Sequence, residues 1–185
     1  MHTYTIEEIR RCFSTSQDFN EIFDAFEAAI SQQIKDVEPY RLLFWNHSLT
    51  PDEVRLFGEK LATEFPDLAY DIFLWLASIF EATESSNDNY ELAFHYFQKA
   101  AKARPAEPDP YLDACDCYEP DLNIPPLSAL IEFVKQGVEN VTRASLLYKR
   151  LARLYELSGD DDQAELCRQK AERLDTPLSG DTADA

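Results

Sequence analysis

The chain has 185 residues, 45% hydrophobic and 12% aromatic, which excludes general disorder and suits one domain or one short repeat array. Thirty-five acidic residues against 17 basic ones give a formal net charge of −18. Such a field repels phosphate backbones and anionic surfaces, so neither nucleic acid nor membrane is an expected partner; the charge serves solubility alone or, on a sharper reading, a basic partner. Only four glycines occur, which argues against hairpin-rich β structure, and the ten prolines sit mostly between periodic segments.

In chain order, Thr5 with Glu8 predicts a capping box ahead of a helix over Ile6–Phe13, and Ser14 with Gln17 a second one ahead of Phe19–Ile34. In that second helix Phe19, Ile22, Phe23, Phe26 and Ile30 form an apolar stripe, with Asp18, Glu21, Asp24 and Glu27 along another flank. A third helix is expected from Pro39 to about Asn46. Thr50 as N-cap, Pro51 in the first helical position and Glu53 closing the box give a strong start signal for a helix reaching Glu64, which Pro66 interrupts. Asp67–Phe80 is apolar almost all round and predicts a buried helix. After a loop over Glu84–Asn89 comes YELAFHYFQKAAKARP, in which Ala93, Phe97, Ala100 and Ala101 share one face. Further helices are expected over Pro110–Tyr118, Pro126–Glu139, Arg143–Ser158 and Asp162–Leu174, then a disordered tail from Thr176. That makes ten helices and no strand.

Three sets share one form, an aromatic, an aliphatic three later, a small residue next, and an aromatic three beyond. They are Phe73, Leu76, Ala77 and Phe80; Tyr111, Ala114, Cys115 and Tyr118; and Tyr148, Leu151, Ala152 and Tyr155, recurring after 38 and then 37 residues. A second motif follows each: Ala93 with Phe97, Ala129 with Phe133, and Ala164 with Arg168. The pattern resembles the tetratricopeptide repeat, whose signature is W-x2-L-G-x2-Y, then A-x3-F, then P, with a period of about 34 residues. The chain departs from it in extended loops after Phe80 and Tyr118, in Gly137 or Gln136 at a later alanine position, and in Arg168 where a large apolar residue is usual. A last helix without a successor needs a polar outer face, which explains Arg168; Leu166, Ala171 and Leu174 are then expected on the inner side.

The resemblance implies an all-α fold of stacked tetratricopeptide-like hairpins (an α-solenoid). N-terminal helices occupy 1–66, three repeat-like hairpins 67–175 and the tail 176–185. In that family, first helices line a groove that accepts a partner's extended or helical segment. By resemblance the lining comprises Leu74, Ser78, Leu112, Asp116, Lys149 and Arg153. Lys149 and Arg153, four apart, face one side of their helix, either toward a ligand or toward intrahelical salt bridges with neighbours such as Glu156. Family members that grip a C-terminal carboxylate use Lys and Asn on early groove helices, which Leu74, Ser78, Leu112 and Asp116 do not supply.

Catalytic and metal chemistry is not indicated. Cys115 and Cys117, two apart on a helix, point about 200° from each other, and Cys115 falls at the repeat's small packing position, where burial is expected. His2, His47 and His95 match no zinc spacing. Gly159–Asp162 reads as a glycine helix stop followed by an acidic N-terminus rather than a calcium loop. The irregular cysteines predict free thiols, and the charged N-terminus and lack of a long apolar run predict a cytoplasmic location. The expected function is therefore a non-enzymatic, cofactor-free adaptor for another protein, as a monomer or homodimer. The alternatives are a dedicated acidic repeat chaperone for a secreted or complex-forming client, and an unassigned enzyme or acidic mimic of nucleic acid.

Overall fold

A computed structural model describes residues 4–82 and 88–176 and contains ten α-helices. They are α1 (Ile6–Thr15), α2 (Phe19–Ser31), α3 (Glu38–Phe44), α4 (Pro51–Glu64), α5 (Ala69–Ala82), α6 (Asp88–Ala103), α7 (Asp109–Asp116), α8 (Leu127–Asn140), α9 (Ser145–Ser158) and α10 (Asp161–Asp175). Among the described residues there is no strand; Glu119 and Ile124 form one isolated antiparallel bridge. The helices fall into two compact units, Met1–Ala103 and Arg104–Ala185.

Local chemistry sets the helix starts. Thr5 and Thr50 each accept a hydrogen bond from the backbone three residues on, and Glu8 and Glu53 reach back to the capping N–H at 2.8 and 2.7 Å, so both boxes form as expected. The second expected box does not form. Ser14 lies inside α1 and donates to the Arg11 carbonyl, while Asp18, directly before α2, accepts from Asn20 N–H at 2.9 Å. A residue still within a helix cannot cap the next one, and Asp18 offers the shorter reach. The loop expected over Glu84–Asn89 lies mostly outside the described residues, although Asn89 is already helical; the tail beyond Thr176 lies outside them as well.

In the first unit the core is aromatic. The Phe26 ring sits 4.9 Å from Phe57 and 6.3 Å from Tyr40, and Tyr40 meets Phe13 at 6.1 Å. The Tyr40 hydroxyl donates to the Ile34 carbonyl at 2.7 Å, and burial pushes its ionisation up. Asn46, buried, ties the end of α1 to the turn before α4. Its amide nitrogen donates to the Phe13 and Ser16 carbonyls at 2.9 and 3.0 Å, and its oxygen accepts from Ser48 N–H at 2.9 Å and the Ser48 hydroxyl at 2.7 Å. Every polar atom of this side chain is satisfied, as burial requires. Ala93, Phe97, Ala100 and Ala101 are all buried, as their shared face predicts.

The second unit has fewer rings in its core. Tyr111 packs on Phe133 at 4.7 Å, and Gly137 lies so near that an added Cβ would fall 2.6 Å from Tyr111 Cγ. Gly137, not the exposed Gln136, therefore fills the repeat's small position. Gly159 ends α9 at φ 78°, and Asp160 caps α10 by accepting from Gln163 N–H at 3.1 Å, as its sequence predicts.

Three contacts follow the repeat sets, though at different positions of the second helix. The first aromatic of each set meets the second helix of its own hairpin: Phe73 stacks on Tyr96 at 6.0 Å, Tyr111 on Phe133, and Tyr148 lies under Lys170 Nζ at 5.4 Å. The middle set breaks early. Helix α7 stops at Asp116, leaving Tyr118 in the following turn, where Glu119 and Ile124 exchange backbone hydrogen bonds and Asn123 adopts φ 52°. Cys115, expected to be buried, is half-buried, whereas Cys117 is fully so. On α10 the inner residues are Ala164, Cys167 and Ala171; Leu166 and Leu174, expected inside, are 48% and 56% exposed. Small side chains let α10 lie close to α9, and the leucines turn outward.

Candidate interaction faces

In the first unit Leu74 and Ser78 lie one turn apart on α5. Leu74 is half-buried, and the exposed Ser78 hydroxyl donates back to the Leu74 carbonyl at 3.0 Å. Beside them stands half-buried Trp75, whose ring lies 5.8 Å from the Arg41 guanidinium carbon on α3. Arg41 also donates to Glu38 at 3.0 Å. The sequence reading missed Trp75, although it directly follows Leu74 and joins Ser78 at a spacing of three.

In the second unit α7 and α9 lie side by side and bring four of the expected residues to their outward surfaces. Leu112 is half-buried; Asp116, Lys149 and Arg153 are exposed. Their partners differ from those the sequence suggested. Arg150, not Lys149 or Arg153, bridges the two helices, with nitrogens 2.9 and 3.1 Å from the two Asp116 carboxylate oxygens, a bidentate fork. Lys149 Nζ lies 2.7 Å from Asp175 at the end of α10, where Ser145 also donates. These two donors hold the Asp175 carboxyl below its usual range, the Lys149 bond foremost. Glu156, the alternative partner for Lys149 and Arg153, pairs with Arg168 of α10 instead. Among the described residues Arg153 makes no ion pair.

The acidic side of this face is crowded. Burial first, then the charges of Asp109 and Asp116, raise the Asp113 carboxyl, and Arg150 offsets them in part. Burial also pushes the Cys115 thiol up to about 12, so it is a poor thiolate and a poor metal ligand at neutral pH; its sulfur donates to the Tyr111 carbonyl. Among the described residues no group of three His, Cys, Asp or Glu could hold a metal ion, and no helix is long and apolar enough to cross a membrane.

No protein family's model matches this sequence, and no curated protein matches it. Among solved structures it is similar to a crystal structure of MamA, with 16% identity, 92% of this chain and 95% of that chain covered, and a TM-score of 0.52. A second crystal structure of MamA matches at 16% identity over 91% and 93% of the two chains, with a TM-score of 0.53. The likeness establishes the fold. This is an all-α protein of tetratricopeptide-like helical hairpins.

Proposed function

We propose that this chain is a non-enzymatic protein-interaction adaptor that binds a segment of another protein along the outward faces of its first helices. The observation that carries this reading is the surface of α7 and α9. There the Asp116–Arg150 fork fixes two helices side by side, half-buried Leu112 lies one turn from Asp116, and the cation of Arg153 has no ion-pair partner among the described residues. A mixed strip of this kind offers apolar contact for affinity and charges for register. Leu74, Trp75 and Ser78 give the first unit a corresponding strip on α5. The acidic total charge supports a basic partner.

The test begins with capture of the partner from the native source, followed by titration of variants that keep wild-type helicity. Leu112→Glu and Arg153→Glu are each expected to weaken binding by at least about tenfold, or ~1.4 kcal/mol. Unchanged affinity in both variants would remove the α7–α9 surface from the interface.

A further inference from the structure

At one end of the first unit, two clefts adjoin at the first turn of α4. One, of about 470 Å³, is lined by Phe44, Trp45, His47, Val54, Ile79 and Phe80, with Ala82 at its rim. The other, of about 540 Å³, is lined by Asp52, Arg55 and Glu91 among others, and Pro51 borders both. We propose that this pair of clefts is a docking site for a basic segment of a partner protein, an apolar side chain entering the first cleft and a Lys or Arg reaching the second. None of its residues belongs to the α7–α9 surface or to the Leu74–Ser78 strip, so the two proposals stand or fall separately.

Several features favour this occupant. The floor of the first cleft is formed by Phe44, Val54, Ile79 and Phe80, all buried, so it offers an apolar surface already desolvated by the fold. Trp45 stands at its mouth with 52% of its surface exposed. A large ring left in water beside an apolar hollow gains most when a partner's side chain covers it. The second cleft has the opposite chemistry. Asp52 and Glu91 are exposed, and Glu53 lies in the same helical turn. The cation there, Arg55, is engaged, since it donates to Asp52 at 3.2 Å and is hydrogen-bonded to Tyr96. The local field is therefore negative, and an incoming ammonium or guanidinium complements it. An acidic segment would meet three carboxylates, Asp52, Glu53 and Glu91, against the single cation of Arg55. Because Pro51 is common to both clefts, anchor and cation are close together on the ligand.

The test uses two synthetic helical peptides with identical leucine positions, one with lysines one turn from each leucine and its twin with glutamates there. Binding is followed by tryptophan fluorescence and calorimetry at physiological salt. The lysine peptide is expected to bind at least about tenfold more tightly than the twin and to shift Trp45 emission to the blue. Trp45→Ala and Ala82→Arg alter exposed rim residues, so both should keep wild-type helicity while losing most of the lysine peptide's affinity. Asp52→Asn/Glu91→Gln should narrow the preference between the peptides while leaving the apolar contact. Leu166→Ala, in the other unit, should change nothing. The proposal is overturned if the lysine peptide does not bind, if the twin binds equally well, or if Trp45→Ala and Ala82→Arg bind like wild type; that last result would mean diffuse attraction to an acidic surface.

Discussion

The hairpins α5–α6 and α9–α10 share one repeat register but solve the packing problem differently. In the first unit α5 is buried almost all round. Tyr70, Ile72, Phe73, Leu76, Ala77, Ile79 and Phe80 are all inside, and α6 brings Ala93, Phe97 and Ala100 against it. In the second unit α10 buries only Ala164, Cys167 and Ala171, and its remaining surface carries Arg168, Leu166 and Leu174 in solvent. The α5–α6 contact is filled by large rings with small residues between them, whereas α10 meets α9 through a narrow small-residue stripe and keeps a polar exterior. The equivalent lysines show the same contrast. Lys99 lies 4.6 Å from the Phe73 ring and is held by Glu59, part-buried, whereas Lys170 covers Tyr148 from an exposed position.

The strongest way to break this comparison is to place a charge at matched depths. Ala93→Arg or Ala100→Arg forces a long cation into a closed helix contact, combining overpacking with an unpaired buried charge. A loss of about 4 kcal/mol or more is expected, enough to abolish the first unit's thermal transition. Leu166→Arg on α10 should stay within about 0.5 kcal/mol of wild type. Equal melts for all three variants would show that the two hairpins are not packed differently.

A smaller effect separates two glycines. A methyl at Gly137 would meet the Tyr111 ring at 2.6 to 2.9 Å, and that ring is pinned by Phe133 and by its hydroxyl's bond to the Pro105 carbonyl. Gly137→Ala should therefore cost about 1–3 kcal/mol despite better helix propensity. At Gly58 the methyl meets the Leu76 side chain, nearest at a terminal carbon 2.5 Å away, and a rotamer change can relieve this. Gly58→Ala should fall within about 1 kcal/mol of wild type. Chemical denaturation of both variants decides whether close approach is as rigid as argued in the second unit and as forgiving in the first.

What the sequence revealed was local, and what it hid was between helices. Thr5, Thr50 and Gly159 announce their helix ends because the bonds they make span three or four residues. Ser14 misled because a capping pattern carries no information on whether the preceding helix has ended; α1 runs on to Thr15. The ion-pair partners of Asp116 and Lys149 were hidden, since Arg150 is 34 residues from Asp116 and Asp175 is 26 from Lys149. Leu166 and Leu174 were misplaced because an isolated helix with scattered apolar residues does not say which stripe faces inward. One regularity was present and overlooked: Lys99, Lys135 and Lys170 each follow the repeat alanine by six residues. Two of the three lie over the first aromatic of their hairpin, while Lys135 bonds Glu132 at 2.9 Å.

The smallest expected effect is a pH dependence of opposite sense in the two units. His95 has its ionisation lowered, first by burial and then by Lys99. Below the ordinary histidine value of 6.5 the unfolded chain then takes up a proton that the folded one resists. Its contribution is thus lost as pH falls through that value. Asp113 has its ionisation raised, so the folded state holds a proton more readily than the unfolded chain just above 3.8, the ordinary aspartate value. Stability from this group is present below 3.8 and lost as pH rises through the folded value. His95→Gln should consequently make the first unit less sensitive to acid between neutrality and pH ~5, and Asp113→Asn should stabilise the second unit at neutral pH with no gain at pH ~3. Hydrogen exchange read separately for α6 and α7 at three pH values checks both. Parallel shifts in the two helices would mean that the carboxylate field of the whole chain, rather than these two sites, sets their response.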